Sequence, residues 1–209
     1  MSGAGGHGLL LDGPELLGGG GGGGGGGEIL GTGPTSGLPQ SGRDRNCGYN
    51  PITGRPGFSR DPAGRKGNLR PGVGGLGYYH APRDGGRRQH QGLDISAVPG
   101  DAVYAFAAGT VLSISGSPSS KMGYGLMVTI DHGNGYISRY AHLSGIIPGL
   151  KKGDVISQGS KVGFVGQSGN ARKLPRSEAH LHFEIRKNGE TLDPEHFLNS
   201  PCPPDFTGV

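Results

Sequence analysis

At 209 residues the chain has room for one domain or two small ones, and its 47 glycines decide between them. They crowd the N-terminal third, where apolar side chains are too scarce to offset the backbone entropy that ordering glycine costs, so one C-terminal domain is expected. The formal charge of +4 is uneven: residues 41 to 90 hold ten Lys or Arg against three acids, whereas residues 91 to 209 hold ten of each.

No apolar run approaches the roughly 18 residues that a membrane span requires. Leu9-Leu10-Leu11 is preceded by no Lys or Arg and followed by Asp12 and Glu15, so the charged and apolar regions of a signal peptide are missing. Residues 1 to 40 are a Gly-rich, low-complexity flexible segment in which His7 is isolated and idle. Within it Gly18 to Gly27 is an unbroken run that behaves as a coil, with end-to-end distance roughly 5–6 Å times the square root of its length. It tethers rather than folds.

Residues 41 to 77 form a basic, Gly- and Pro-rich arm, irregular and partly wrapped on the domain, with Tyr49 and Phe58 as anchors. Such an arm suits either a polyanion contact or a solvated linker. The absence of an aromatic-interleaved motif favours the linker, and no nucleic acid is expected. Cys47 and Cys202 lie on either side of the apolar region, paired as a disulfide or present as two thiols; neither has a CxxC neighbour.

The globular part is expected over 78–200, with a short tail at 201–209. Val103 to Ala107 reads as a strand, and Thr110 to Ser115 as another with Leu112 and Ile114 on its apolar face. Leu126, Val128 and Ile130 alternate through a third, and Asn134-Gly135 is a hairpin signal leading into Tyr136 to His142. After a turn at Lys151 to Asp154 come short strands at Val155-Ile156 and Lys161 to Val165. Close spacing and Gly-rich turns predict an all-β fold with little helix.

Chemistry concentrates in Ala179 to Ile185. On a strand His180, His182 and Glu184 share one face and Leu181, Phe183 and Ile185 the other. Two imidazoles on one face can serve one centre, as metal ligand and as proton donor. Glu184 is read as a surface carboxylate on an edge, in preference to a partner of a ligand imidazole. In His90-Gln91-Gly92-Leu93-Asp94 the extended reading puts His90 and Asp94 on one face with open space at Gly92. Adding His180 or His182 makes two nitrogen donors and one oxygen with a fourth position open, the donor set of a catalytic zinc site. His142 falls on the face of Ser138 and Tyr140, and a backbone-bonded strand-end histidine is its competing reading. His132 and His196 are taken as structural or solvated.

The order His90-Gln91-Gly92-Leu93-Asp94, Val103-Tyr104-Ala105, Ile130 to Gly135, Tyr140-Ala141-His142-Leu143, Lys152 to Ile156, Val165-Gly166 and His180 to Glu184 resembles the lysostaphin-type, or LytM-like, zinc metallopeptidases. It covers about residues 87 to 198. The resemblance implies an antiparallel β-sheet groove of the duplicated hybrid motif type, one zinc per chain, and hydrolysis of peptide bonds in bacterial peptidoglycan. It implies His90, Asp94 and His182 as metal ligands and His142 and His180 as catalytic. Zinc would then acidify water and polarise the scissile carbonyl, and the two histidines would orient that water, stabilise the oxyanion and return a proton to the leaving amine.

The loop Ala171 to Glu178 departs from the pattern, being longer and more charged than the usual small-residue turn. D-Ala-linked crosslinks are favoured over glycine bridges as substrate, since a glycyl-glycine enzyme should cut its own Gly18 to Gly27 run. The expected site of action is the cell envelope or outside the cell, with the protein a monomer. Without a visible signal peptide, delivery falls to non-classical export, an antibacterial effector route or phage lysis. Two alternatives stand: a zinc-binding or cell-wall-binding module of the same fold without hydrolysis, and a β-hairpin phosphocarrier or lipoyl-like carrier. A lipoyl carrier would need a flanking pattern that the Lys151-Lys152-Gly153 turn lacks.

Overall fold

A computed structural model describes residues 46–61, 65–70 and 76–208. The expectations for His7, the polyglycine tether and the segment 1–40 lie outside the described residues. Among the described residues thirteen strands follow in chain order: β1 (Tyr49–Asn50), β2 (Arg55–Pro56), β3 (Pro82–Arg83), β4 (Arg88–Gln89), β5 (Leu93–Ser96), β6 (Ala102–Tyr104), β7 (Gly109–Ser115), β8 (Leu126–Asp131), β9 (Tyr136–Ile146), β10 (Val155–Ile156), β11 (Lys161–Val165), β12 (His180–Lys187) and β13 (Glu190–Leu192). One short α-helix, α1 (Pro194–Asn199), follows, its first turn capped by the Asp193 carboxylate, which accepts a hydrogen bond from the Glu195 amide at 3.0 Å. No helix among the described residues is long and apolar enough to cross a membrane.

Nine strands make one antiparallel sheet in the order β10-β7-β8-β9-β11-β6, from which β12 branches to pair with β9, β5 and β13. Strand β9 is long enough to serve two partners besides β8, pairing with β12 through its first half and with β11 through its second. The tight turn before β9 needs positive φ, 49° at Asn134 and 78° at Gly135, which explains that dipeptide. Leu126, Val128 and Ile130 point into the core as expected. In β7 Ile114 packs against the core as expected, but Leu112 is exposed and Val111 buried in its place, because the register shifts between Val111 and Ser113.

Packing continues upstream of residue 78. Cys47, Ile52 and Phe58 belong to the same core as Phe106, Tyr140 and Phe183. Asn50, buried, donates from Nδ2 to the Gly67 carbonyl at 2.6 Å and accepts the Ile52 amide on Oδ1 at 2.9 Å, fixing the bend of this segment. The chain then runs beside β5: the Gly67 amide donates to the Ser96 carbonyl, the Ser96 amide to Asn68, and the Arg70 amide to Asp94, each at 2.8–2.9 Å. Strand β5 is thereby held between β12 and residues 67–70.

Of the two readings of the cysteines, the structure has the disulfide: Cys47 and Cys202 are joined across 155 positions of sequence. It ties the upstream segment to the C-terminal tail, where Phe206 packs against Tyr136 and Phe197. Closing so long a loop restricts the unfolded chain. Reduction, or Cys47→Ser with Cys202→Ser, is expected to lower stability by about 2–4 kcal/mol. Denaturant melts with and without reductant check this; coincident midpoints would show that the bridge contributes nothing.

Candidate functional site

Strand β12 carries the site because it is central rather than an edge: Phe183 lies opposite Leu93 on one side and Tyr140 on the other, and its 181, 183 and 185 side chains are fully buried. That leaves His180, His182 and Glu184 on the opposite face, over which β5 lays Asp94 directly opposite His182. Gly92 is required here, since a Cβ on it would meet the Phe183 carbonyl oxygen at 2.4 Å and the His182 ring at 3.0 Å.

Three donor atoms converge. His90 Nε2, Asp94 Oδ1 and His182 Nδ1 lie 3.0 Å from one another in each pairing. Donors about 2.0–2.1 Å from a tetrahedral ion would stand roughly 3.3 Å apart, so this triangle needs only slight opening to hold one. The tautomers fit as well: His90 Nδ1–H donates to the Tyr78 carbonyl at 2.8 Å, and His182 Nε2–H donates to Glu184 Oε1 at 3.1 Å, leaving Nε2 of the first and Nδ1 of the second for a cation. Among the described residues this His–Asp–His group is a cluster able to hold a metal ion.

Two further imidazoles flank it. His180 Nδ1–H donates to the Glu178 carbonyl and His142 Nδ1–H to the Ser168 carbonyl, each at 2.9 Å, so both rings keep Nε2 unprotonated. Their centroids are 5.3 Å apart, and His142 is 5.8 Å from the His182 ring. The backbone bond proposed as the competing reading of His142 is present, and its effect is to aim the ring at the cluster. The face assigned to His142 needs correction. Ser138 and Tyr140 point into the core opposite Ile185 and Phe183, and strict alternation would send His142 with them. A φ of 62° at His142 turns it to the other face. This left-handed conformation is uncommon for a non-glycine residue, and here it delivers a side chain to the site.

Glu184 also needs correction. It is fully buried rather than a surface carboxylate, because β12 is flanked on both sides. Its oxygens accept from His182, from the Tyr124 hydroxyl at 2.6 Å, from Arg186 Nε at 2.8 Å and from Arg139 at 3.4 Å. His132 is structural as expected, with Nδ1 on the Ala108 carbonyl and Nε2 on Ser138 Oγ, while His196 sits exposed on α1.

Electrostatics divide the histidines. Burial would depress His182, but hydrogen bonds to Asp94 and Glu184 outweigh it and hold the ring up at about 9 in the metal-free protein. Burial opposes ionisation of Asp94 as well, yet His180, His182 and His90 bring it well below the carboxylate range. Glu184, likewise against its burial, is drawn to about 2 by His182, Tyr124 and Arg186. Burial lowers His142 to about 3, helped by His182 and His180, and burial lowers His180 too. At neutral pH the central imidazole is therefore cationic and its two neighbours are neutral.

The sign of the pH dependence follows. His182 is raised, so its contribution is complete below 6.5 and lost as pH rises towards 9; Glu184 and His142 are lowered, so theirs are lost as pH falls from 4.5 towards 2 and from 6.5 towards 3. The metal-free protein should be most stable near pH 6.5, losing about 3 kcal/mol towards pH 9. Thermal melts in chelator across pH 3 to 9 test this; a midpoint still rising at pH 9 would contradict it.

The residues not foreseen are Glu178, two positions before His180, and four that reach the site from 11 to 60 positions away: Tyr124, Ser168, Arg70 and Arg83. The last two ion-pair with Asp94 Oδ2, at 3.5 and 3.2 Å. A local signal was present for Glu184, two residues from His182 on the same face, and for Glu178, two residues before His180.

Comparison with known proteins identifies the family of the chain. Residues 88–194, just over half of the chain, match the model of Peptidase family M23. Peptidoglycan DD-endopeptidase ShyA of Vibrio cholerae is 34% identical over 104 residues, 50% of this chain and 22% of that protein. Murein hydrolase activator NlpD of Escherichia coli is 30% identical over 109 residues, 52% of this chain and 26% of that protein. The catalytic domain of lysostaphin from Staphylococcus simulans superposes with a TM-score of 0.49 at 28% identity, covering 60% of this chain and 91% of that one. The chain spans a fifth to just over half of the length of the curated relatives it matches, several of which are described as lipoproteins. The chain belongs to peptidase family M23, in agreement with the lysostaphin-type resemblance of its motifs.

Proposed function

We propose that the chain is a zinc-dependent endopeptidase acting on the peptide crosslinks of bacterial peptidoglycan, with D-Ala-linked crosslinks preferred over glycine bridges. The observation that carries the reading is the 3.0 Å triangle of His90, Asp94 and His182 with two neutral imidazoles beside it. His90, Asp94 and His182 would hold the ion, which when bound supplies Lewis acidity for amide hydrolysis. His142 and His180, each with Nδ1–H committed to a backbone carbonyl, present Nε2 lone pairs to the cleft. There they accept a proton from the attacking water and return it to the departing amine. Glu184 keeps Nε2–H of His182 fixed and so orients a ligand ring. The disulfide belongs with an oxidising compartment, which supports the cell envelope as the site of action.

The activator among the relatives motivates a second reading, a member of the fold that binds without hydrolysing. Presence of both flanking histidines favours hydrolysis. Membership of the family sets the carrier alternative aside.

Purified peptidoglycan of directly crosslinked and of glycine-bridged type, incubated with the protein with and without chelator, separates these. Chelator-sensitive release of new amino termini from the directly crosslinked wall is expected, with mass spectrometry naming the bond. Zinc bound but nothing released from either wall would establish the non-hydrolytic reading, and preferential cutting of glycine bridges would overturn the D-Ala preference.

A further inference from the structure

Asp94 uses its two oxygens differently. Oδ1 faces His90 and His182 at 3.0 Å and His180 at 3.7 Å, while Oδ2 faces two guanidinium groups, Arg83 at 3.2 Å and Arg70 at 3.5 Å. Arg70 lies upstream of the residues that match the family, 24 positions before Asp94. Its side chain is nonetheless only 5% exposed, and its backbone amide donates to the Asp94 carbonyl at 2.9 Å. The other end of the guanidinium pairs with Glu178 Oε2 at 2.9 Å. Glu178 is the residue whose carbonyl accepts His180 Nδ1–H, and it sits in the loop that departs from the family pattern.

We propose that Arg70 is a positioning residue of the metal centre, contributed by the segment outside the family region: it holds Asp94 Oδ2 away from the ion, so that Asp94 ligates through Oδ1 alone, and through Glu178 it fixes the aim of His180. A carboxylate free to turn would offer both oxygens or rotate off the triangle. A buried guanidinium, permanently charged and geometrically rigid, suits this task better than an ammonium, which cannot reach two carboxylates as a planar fork does. The inference rests on the zinc reading above.

The test uses the full chain. Zinc affinity is measured by competition with a chromogenic chelator, and the coordination by the d–d absorption of the cobalt-substituted protein, for the parent, Arg70→Gln, Arg70→Lys and Arg60→Ala. Arg60 comes from the same upstream segment and lies over the Tyr78 ring, but its ion pair, at 2.8 Å, runs to Glu195 and not to Asp94 or Glu178. Arg70→Gln is expected to weaken zinc binding roughly 10–100-fold, the range for outer partners of metal ligands, and to shift the cobalt spectrum. Arg70→Lys is expected to weaken it less, and Arg60→Ala to bind as the parent does. Circular dichroism shows which variants fold. Parent-like affinity and spectrum in any folded Arg70 variant overturns the proposal, as does an equal loss in Arg60→Ala, which would assign the effect to docking of the segment. A parent that binds no zinc would overturn the zinc reading itself and the proposal with it, and is distinguished by failing before any substitution is made.

Discussion

His182→Ala should abolish zinc binding and reduce the release of amino termini from peptidoglycan by about a thousandfold or more, the largest effect expected of any single substitution in the chain. The ring does two things that no neighbour can take over. It supplies one of three donor atoms, and in the metal-free protein it is the cation between Asp94 Oδ1 at 3.0 Å and Glu184 Oε1 at 3.1 Å. Removing it takes the shared cation from Asp94 Oδ1 and Glu184 Oε1, while the arginines on their other oxygens remain, so the variant should also melt earlier. Zinc titration and a thermal melt on the same sample separate the two losses. Metal-dependent activity persisting in a folded His182→Ala protein would remove His182 from the ligand set.

His142→Asn should leave zinc affinity within a few-fold of the parent while lowering the rate of hydrolysis by about 10²–10⁴. Asparagine tolerates the left-handed conformation that φ of 62° imposes at this position, so the backbone is preserved and only the Nε2 base is lost. Because His142 lies beside the donor triangle without joining it, the metal is expected to remain. The pH profile gives a second reading, since a neutral imidazole with its proton on Nδ1 acts as acceptor across the neutral range. A variant that hydrolyses at the parental rate would leave His180 to carry the proton alone. One that loses zinc would place His142 in the ligand set.

Much of this molecule is written locally. Alternation in Leu126 to Ile130 and in His180 to Ile185, the Asn134-Gly135 turn, and glycine at position 92 each act over a few residues, because pleating and turn sterics are short-range. These features were enough to indicate an all-β sheet and to bring the pairs His90/Asp94 and His180/His182 forward. Motif order did the rest, since several short signals in a fixed sequence restrict the fold more than any one of them.

Three matters were decided only by the tertiary structure, each because a neighbour distant in sequence determines it. Burial of Glu184 depends on whether β12 is central, and that depends on β5 and β9 arriving on either side of it. The direction of His142 depends on a backbone conformation that breaks the two-residue period, its amide donating to the Tyr124 carbonyl, and on the Ser168 carbonyl, 26 positions away, which takes the ring's Nδ1–H. The place of Arg70 depends on residues 67–70 pairing with β5, which no periodicity in a Gly- and Arg-rich segment announces. Residue types and local geometry by themselves determined which side chains were available for the chemistry. The long-range packing decided which oxygen, which nitrogen and which charge each of them presents.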